Sequence, residues 1–283
     1  MSANYHSFRN IGFYFTQAGA ICEKWRAVFT GFDPSVAVRV YGLRQEGAYV
    51  YVTYFCNEYR LCTADGILEK RIPNGDNGKG DSRESGAGEG KPEAGAGEGK
   101  PEAGACENVA EQHMENGEKE ILWDWDTGSR VLHTKEKSAD AAWTQNLFMN
   151  EAMVVYHLLG DVKEDACLSG VWVPEPDLDP VKIRSGNRTD PLVGGFAAAF
   201  SGRTAALDAA CEKMGGIRLA RGDAAWQMEA MPLLPVQLIF WDADEEFPAQ
   251  VQVLVDRNIT DFMHFEAAGC MIADLFEKIG ALA

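Results

Sequence analysis

The sequence predicts an α+β fold on three observations. Short apolar runs bounded by turn residues fill the first half, strand-like and helix-like stripes mix in the second, and no regular strand-helix-strand period links them. The last point disfavours a doubly wound parallel sheet. With 283 residues, 46% hydrophobic and 24% charged, the chain can bury one core, so a single domain over 1–283 is expected, interrupted by an insert at 74–118.

Val36, Val38 and Val40 alternate with Ala37 and Arg39, and AYVYVTYF follows the turn Gln45-Glu46-Gly47, which predicts a hairpin. Leu61 and its neighbours lead through Ala64-Asp65-Gly66 into ILEKRI, extending the hairpin to a four-strand antiparallel meander. Beyond the insert, ILWDW, DTGS and RVLHT predict another hairpin. From Trp143 to Leu159 the apolar residues keep helical spacing, with Gly160 placed as a left-handed cap. Leu207, Cys211 and Met214 before Gly215 predict a second helix. Ala268, Met271, Ile272, Leu275, Phe276 and Ile279 predict a third, ending at Gly280. LSGVWV, AAWQMEAM, VQLIFW and AQVQVLV read as strands between them. Gly194-Gly195 and Ser201-Gly202, around FAAAF, fit a turn or a close helix contact better than a phosphate site.

The insert from Asn74 to Glu118 is Gly, Glu, Ala, Lys and Pro with little to bury, so a disordered linker is expected. GAGEGKPEA occurs at 86–94 and again at 95–103. These copies lack the apolar face that stacked repeats need. Their Gly-Lys pairs are not phosphate loops, because Pro92 and Pro101 follow the lysines and no strand or helix flanks them.

Acidic residues number 43 against 26 basic, for a net charge of −17. No Lys/Arg cluster exists to neutralise phosphates, which argues against a nucleic-acid partner. A membrane span needs roughly 20 apolar residues, and the run Ile11 to Cys22 is too short. Arg9, IGFYF and Ala18-Gly19-Ala20 imitate a signal peptide, but the apolar stretch is too brief for that as well. Seven cysteines without dense spacing fit reduced thiols in a cytoplasm. Cys56, Cys62, Cys167 and His133 show no short paired spacing for structural zinc, and Cys106 falls in the insert.

Two constellations carry candidate chemistry. Trp172, Trp226 and Trp241 fall on three different strands and are candidates to line an aromatic cleft for a small organic ligand or cofactor; core packing is the competing interpretation. Asp242, Asp244, Glu245 and Glu246 share one turn, with Asp256, Asp261, His264 and Glu266 downstream. Asp244, Glu246 and Asp256 are the candidate ligands for a divalent metal, and His264 is a candidate proton carrier. Turn solvation and helix capping explain the same residue types. His157 lies among Val154 and Leu158 and reads as a half-buried structural histidine. No serine-hydrolase elbow, zincin motif or dinucleotide fingerprint occurs, so no particular cofactor is indicated.

The run from Met231 to Leu275 has a Pro-led strand ending in tryptophan, an acidic turn from Trp241 to Phe247, a strand ending at Asp256 and an acidic helix start at Glu266. These features resemble the carboxyl-terminal signature of domain of unknown function 3786. VVYHLLG and SGVWVPEPDL are similar to its middle section, so the resemblance spans roughly 142–283. It implies a cytoplasmic protein of the kind found mainly in anaerobic prokaryotes, and transfers no catalytic residue. Some relatives carry a cysteine-rich iron-sulfur module that this chain lacks. The leading expectation is a cytoplasmic accessory protein that binds a small ligand or cofactor. The alternatives are a divalent-metal enzyme at the acidic turn and a scaffold for protein partners.

Overall fold

The computed structural model describes residues 18–73, 123–126, 131–134, 140–178 and 191–283. The insert expected at 74–118 lies outside the described residues. Residues 1–71 with 121–283 form one compact unit and 72–120 a second. Every element named below belongs to the first.

Helices α1 (Ala18–Phe29) and α2 (Ser35–Tyr41) precede strands β1 (Arg44–Glu46), β2 (Tyr49–Tyr54), β3 (Asn57–Cys62) and β4 (Leu68–Arg71). Next come β5 (Trp123–Asp126), β6 (Val131–Thr134), β7 (Trp143–Thr144), β8 (Leu147–Phe148) and α3 (Met149–Gly160). The remainder is β9 (Trp172–Pro174), a 3₁₀ turn (Glu175–Asp177), α4 (Pro191–Phe200), α5 (Thr204–Lys213), β10 (Ile217–Arg218), β11 (Ala224–Met231), β12 (Leu234–Trp241), β13 (Gln250–Asp256), a second 3₁₀ turn (Arg257–Asp261) and α6 (Phe265–Leu282). The sheets run β1-β2-β3-β4-β7, β10-β11-β12-β13-β9 and β5-β6-β8, and their pairs are antiparallel. The fold class is therefore α+β, as the sequence predicts.

Five element expectations are corrected. Val36 to Val40 is helical, not a strand: Asp33 accepts the Ser35 N–H at 3.0 Å, and Gly42, at φ +65°, returns its N–H to Val38. Ala37 and Tyr41, four residues apart, are the buried pair, so the 3.6-residue period overrides the valine alternation. Trp143 to Phe148 forms two short strands before α3 begins at Met149. Gly160 is not a left-handed cap, since the chain leaves α3 through Asp161 at φ −99°. A Cβ at Gly160 would meet the Phe29 ring at 2.8 Å, so close packing of α1 requires the glycine. The last helix also continues past Gly280, and LSGVWV contributes only Trp172 and Val173 to its strand.

One apolar core joins the first sheet, α3, α6 and the inner face of β11 to β13, with Val50, Leu61, Leu158, Val236, Phe240 and Leu275 among its fully buried members. The two large sheets meet at the β2–β3 turn. Phe55 and Cys56 hold φ of +41° and +63°, a conformation non-glycine residues rarely adopt. Tertiary bonds hold it in place: the Phe55 N–H donates to the Ala230 carbonyl at 2.8 Å and the Cys56 thiol to the Met214 carbonyl at 3.0 Å.

Candidate functional site

β9 pairs only with Leu254–Asp256, so the Gln250–Val253 half of β13, paired with β12 on one side, has no strand on its other side among the described residues. Helix α4 packs on β13, and α6 packs on the 3₁₀ turn that follows β9. A groove of about 290 Å³ remains between them. Pro174, Pro176, Leu192, Val193, Val251, Val253 and Ile272 give it apolar walls; Glu175 and Gln252 supply the polar groups, and Gly269 keeps one wall low. The prolines end the strand pairing and turn the chain away, which is why the groove opens at this edge.

The three tryptophans do not converge. Trp226 pairs with Leu238, and residues directly opposite share a sheet face. Trp241 lies three residues beyond Leu238, so the pleat sends it to the other face. Trp172 is on Trp241's face, but it pairs with Asp256 while Trp241 pairs with Gln250, about 20 Å away along β13 at the usual strand rise. Trp226 is buried, with its indole N–H donating to Asp208 at 2.8 Å. Trp172 is half-buried and Trp241 exposed. None of the three lines the groove.

The candidate metal ligands also separate. Asp244 Oδ1 accepts the Glu246 and Phe247 N–H groups at 2.8 and 2.7 Å, which holds its carboxyl below the usual range while it stays exposed. Glu246 is exposed in the same turn. Asp256 lies at the far end of β13 and is buried. Its Oδ1 accepts from Ser169 N–H and Oγ–H at 2.9 Å each and Asn258 N–H at 2.8 Å, while Oδ2 accepts from Gly170 N–H at 2.7 Å. Burial pushes its carboxyl up, but these donors more than offset it and the net shift is downward. Three donors on Oδ1 and one on Oδ2 make Asp256 a tie between β13, Ser169–Gly170 and Asn258. Among the described residues no group of three or more His, Cys, Asp or Glu is placed to hold a metal ion. Asp242 instead ties the β12–β13 hairpin to α5 through Gly202 N–H and the Thr204 hydroxyl, at 2.8 and 3.0 Å.

His264 is the N-cap of α6: its Nδ1 accepts the Glu266 N–H at 3.4 Å. Its ring stacks 6.3 Å from that of His157 on α3. His157 Nδ1 lies 2.5 Å from Asp161 Oδ2, and that same oxygen accepts the His264 N–H at 3.2 Å. Asp161, four residues beyond His157, lies on the same helix face, the spacing at which side chains on a helix meet.

A second cluster has no local mark in the sequence because side chains from five elements build it. Glu151 on α3 is fully buried. Its Oε2 accepts from Tyr59 at 2.7 Å, Lys70 at 3.0 Å and Lys278 at 3.3 Å, and Oε1 accepts the Phe148 N–H at 2.9 Å. Burial raises its carboxyl, yet Lys278, Lys70 and Tyr59 outweigh that and bring it below the ordinary value. Asp274 is its opposite: burial pushes it up to about 6, against Lys278 and with the Glu151 charge. Tyr54 faces Asp274, but neither Tyr54 Oη nor Asp274 Oδ2 completes a hydrogen bond among the described residues.

The family model described as "Domain of unknown function (DUF3786)" matches residues 127–276, more than half of the chain, and the chain belongs to that family. No curated protein and no solved structure matches it. Among the described residues no helix is long and apolar enough to cross a membrane.

Proposed function

We propose that this family member is a cytoplasmic accessory protein that binds a small, largely apolar ligand in the groove between α4, α6 and β13. The observation that carries this is the groove itself: at about 290 Å³ it falls just under the usual ligand-site volumes of roughly 300–1,000 Å³, which suits a compact ligand. Its make-up is also that of a ligand site, with apolar walls for the body of the molecule and a carboxylate and an amide to orient it. The ligand is therefore compact, with an apolar core and at least one hydrogen-bonding group. The five described cysteines are free thiols, which supports a reducing compartment.

Gly269 makes the proposal testable. A Cβ there meets Glu175 Oε1 at 3.5 Å, an ordinary contact, so alanine fits and a leucine side chain projects into the groove. Titration with the apolar fluorophore 1-anilinonaphthalene-8-sulfonate is expected to show saturable binding to the wild type and Gly269→Ala, and loss of that binding in Gly269→Leu. Equal binding by Gly269→Leu, with an unchanged thermal midpoint, would place the ligand elsewhere.

A further inference from the structure

The groove is lined by one kind of charge. Glu175 supplies a carboxylate and Gln252 an amide, the other walls are apolar, and no lysine, arginine or histidine joins them among the described residues. The carboxylate is held on a stiff arm. Pro174 and Pro176 flank Glu175 and restrict its backbone, β9 fastens Pro174 opposite Leu254, and the Leu178 N–H closes the 3₁₀ turn on the Glu175 carbonyl at 2.9 Å. From there the side chain reaches over α6, with Oε1 3.5 Å from the position a Cβ on Gly269 would take. Its charge is felt on that helix: the thiol of Cys270, next to Gly269, is pushed up to about 11 by burial and by the charges of Glu266, Asp274 and Glu175. A ligand's head group therefore meets negative potential here, while its body meets Val251, Val253 and Ile272.

We propose that the groove selects compact primary amines, with an aryl or alkyl body against the valines and isoleucine and the ammonium donating to Glu175. This rests on the groove being the ligand site and adds the chemical class of the ligand. An ammonium carries three donors and no acceptor, which matches a carboxylate beside an amide oxygen. Its bond to the carboxylate is charge-assisted and stronger than one from a neutral hydroxyl. Solvent reaches the groove at the exposed Gln252, and its screening limits the advantage over a neutral isostere to about tenfold. Carboxylic acids and phosphates of the same size are selected against, because their charge faces Glu175 with no cation in the lining to offset it.

The test is calorimetric titration of the full chain with phenethylamine, phenethyl alcohol and phenylacetate, which share an apolar body and differ in the head group. The wild type should bind the amine about tenfold more tightly than the alcohol, and phenylacetate more weakly than either. Glu175→Gln should bring the amine down to the affinity of the alcohol with an unchanged thermal midpoint, and Glu175→Lys should reverse the order of amine and phenylacetate. The anionic fluorophore anilinonaphthalene sulfonate, which reports on the apolar walls, should bind Glu175→Gln more tightly than the wild type. Equal wild-type affinity for amine and alcohol, both lost in Gly269→Leu, would overturn the selection for amines and leave the groove as the ligand site. Amine binding that persists unchanged in both Glu175→Gln and Gly269→Leu would overturn the groove as well, and no wild-type binding of any of the three compounds would overturn the amine class.

Discussion

The protein has two concentrations of carboxylates, and they are built on opposite principles. Those of the β12–β13 turn are neighbours in sequence, exposed, and satisfied largely by nearby backbone N–H groups, as Asp244 is by Glu246 and Phe247. Glu151 and Asp274 are far apart in sequence, buried, and surrounded by side chains from β2, β3, β4 and α6. An acidic run in a sequence thus marks a solvated turn, whereas the electrostatic stress lies where the fold gathers solitary charges. Only the second kind is coupled to global stability, because water no longer screens it.

Glu151→Ala should have the largest effect. It leaves Lys70 and Lys278 without their shared buried acceptor, and by analogy with other broken buried pairs it should cost about 3–5 kcal/mol, read by urea unfolding. Asp274→Asn should act with the opposite sign. The native carboxyl titrates near 6, above the unfolded value of about 3.9, so its contribution is fully present below that unfolded value and is lost as pH rises through 6. Fixing the neutral form should raise stability above pH 6 relative to wild type, on the order of 2 kcal/mol, with no gain near pH 4. Glu151, held below its ordinary value, contributes in the other direction and loses its stabilisation as pH falls. Asp256→Ala frees four donors around Ser169, Gly170 and Asn258 and is expected to cost about 1–2 kcal/mol by thermal or urea unfolding. The smallest effect belongs to the double variant Asp244→Ala with Glu246→Ala: a thermal midpoint within about 2 °C of wild type and an unchanged metal content by elemental analysis.

Local structure was legible wherever one period dominated. AAWQMEAM matches β11, and the stripe from Ala268 to Ile279 matches α6, because both faces of each element have different neighbours. Val36 to Val40 misled because three valines alternate by chance inside a seven-residue helix, while Asp33 before it and Gly42 after it were the correct signals. The tryptophans could be assigned to strands but not to faces: whether Trp226 and Trp241 share a face depends on strand parity relative to a shared partner, and whether Trp172 joins them depends on which half of β13 pairs with β9. His264 and His157 stack on each other although they lie more than a hundred residues apart on different helices, so their pairing has no local mark in the sequence. The groove left no mark in the sequence, since its walls are ordinary valines, prolines and an isoleucine brought together by α4, α6 and the end of β9.

Whether the groove holds a ligand is decided by native mass spectrometry of the chain purified from its own host, run beside Gly269→Leu prepared in the same way. A ligand in the groove gives a mass excess on the wild type that disappears on denaturation and is absent from Gly269→Leu. The same excess on both proteins, or none on either, would contradict it.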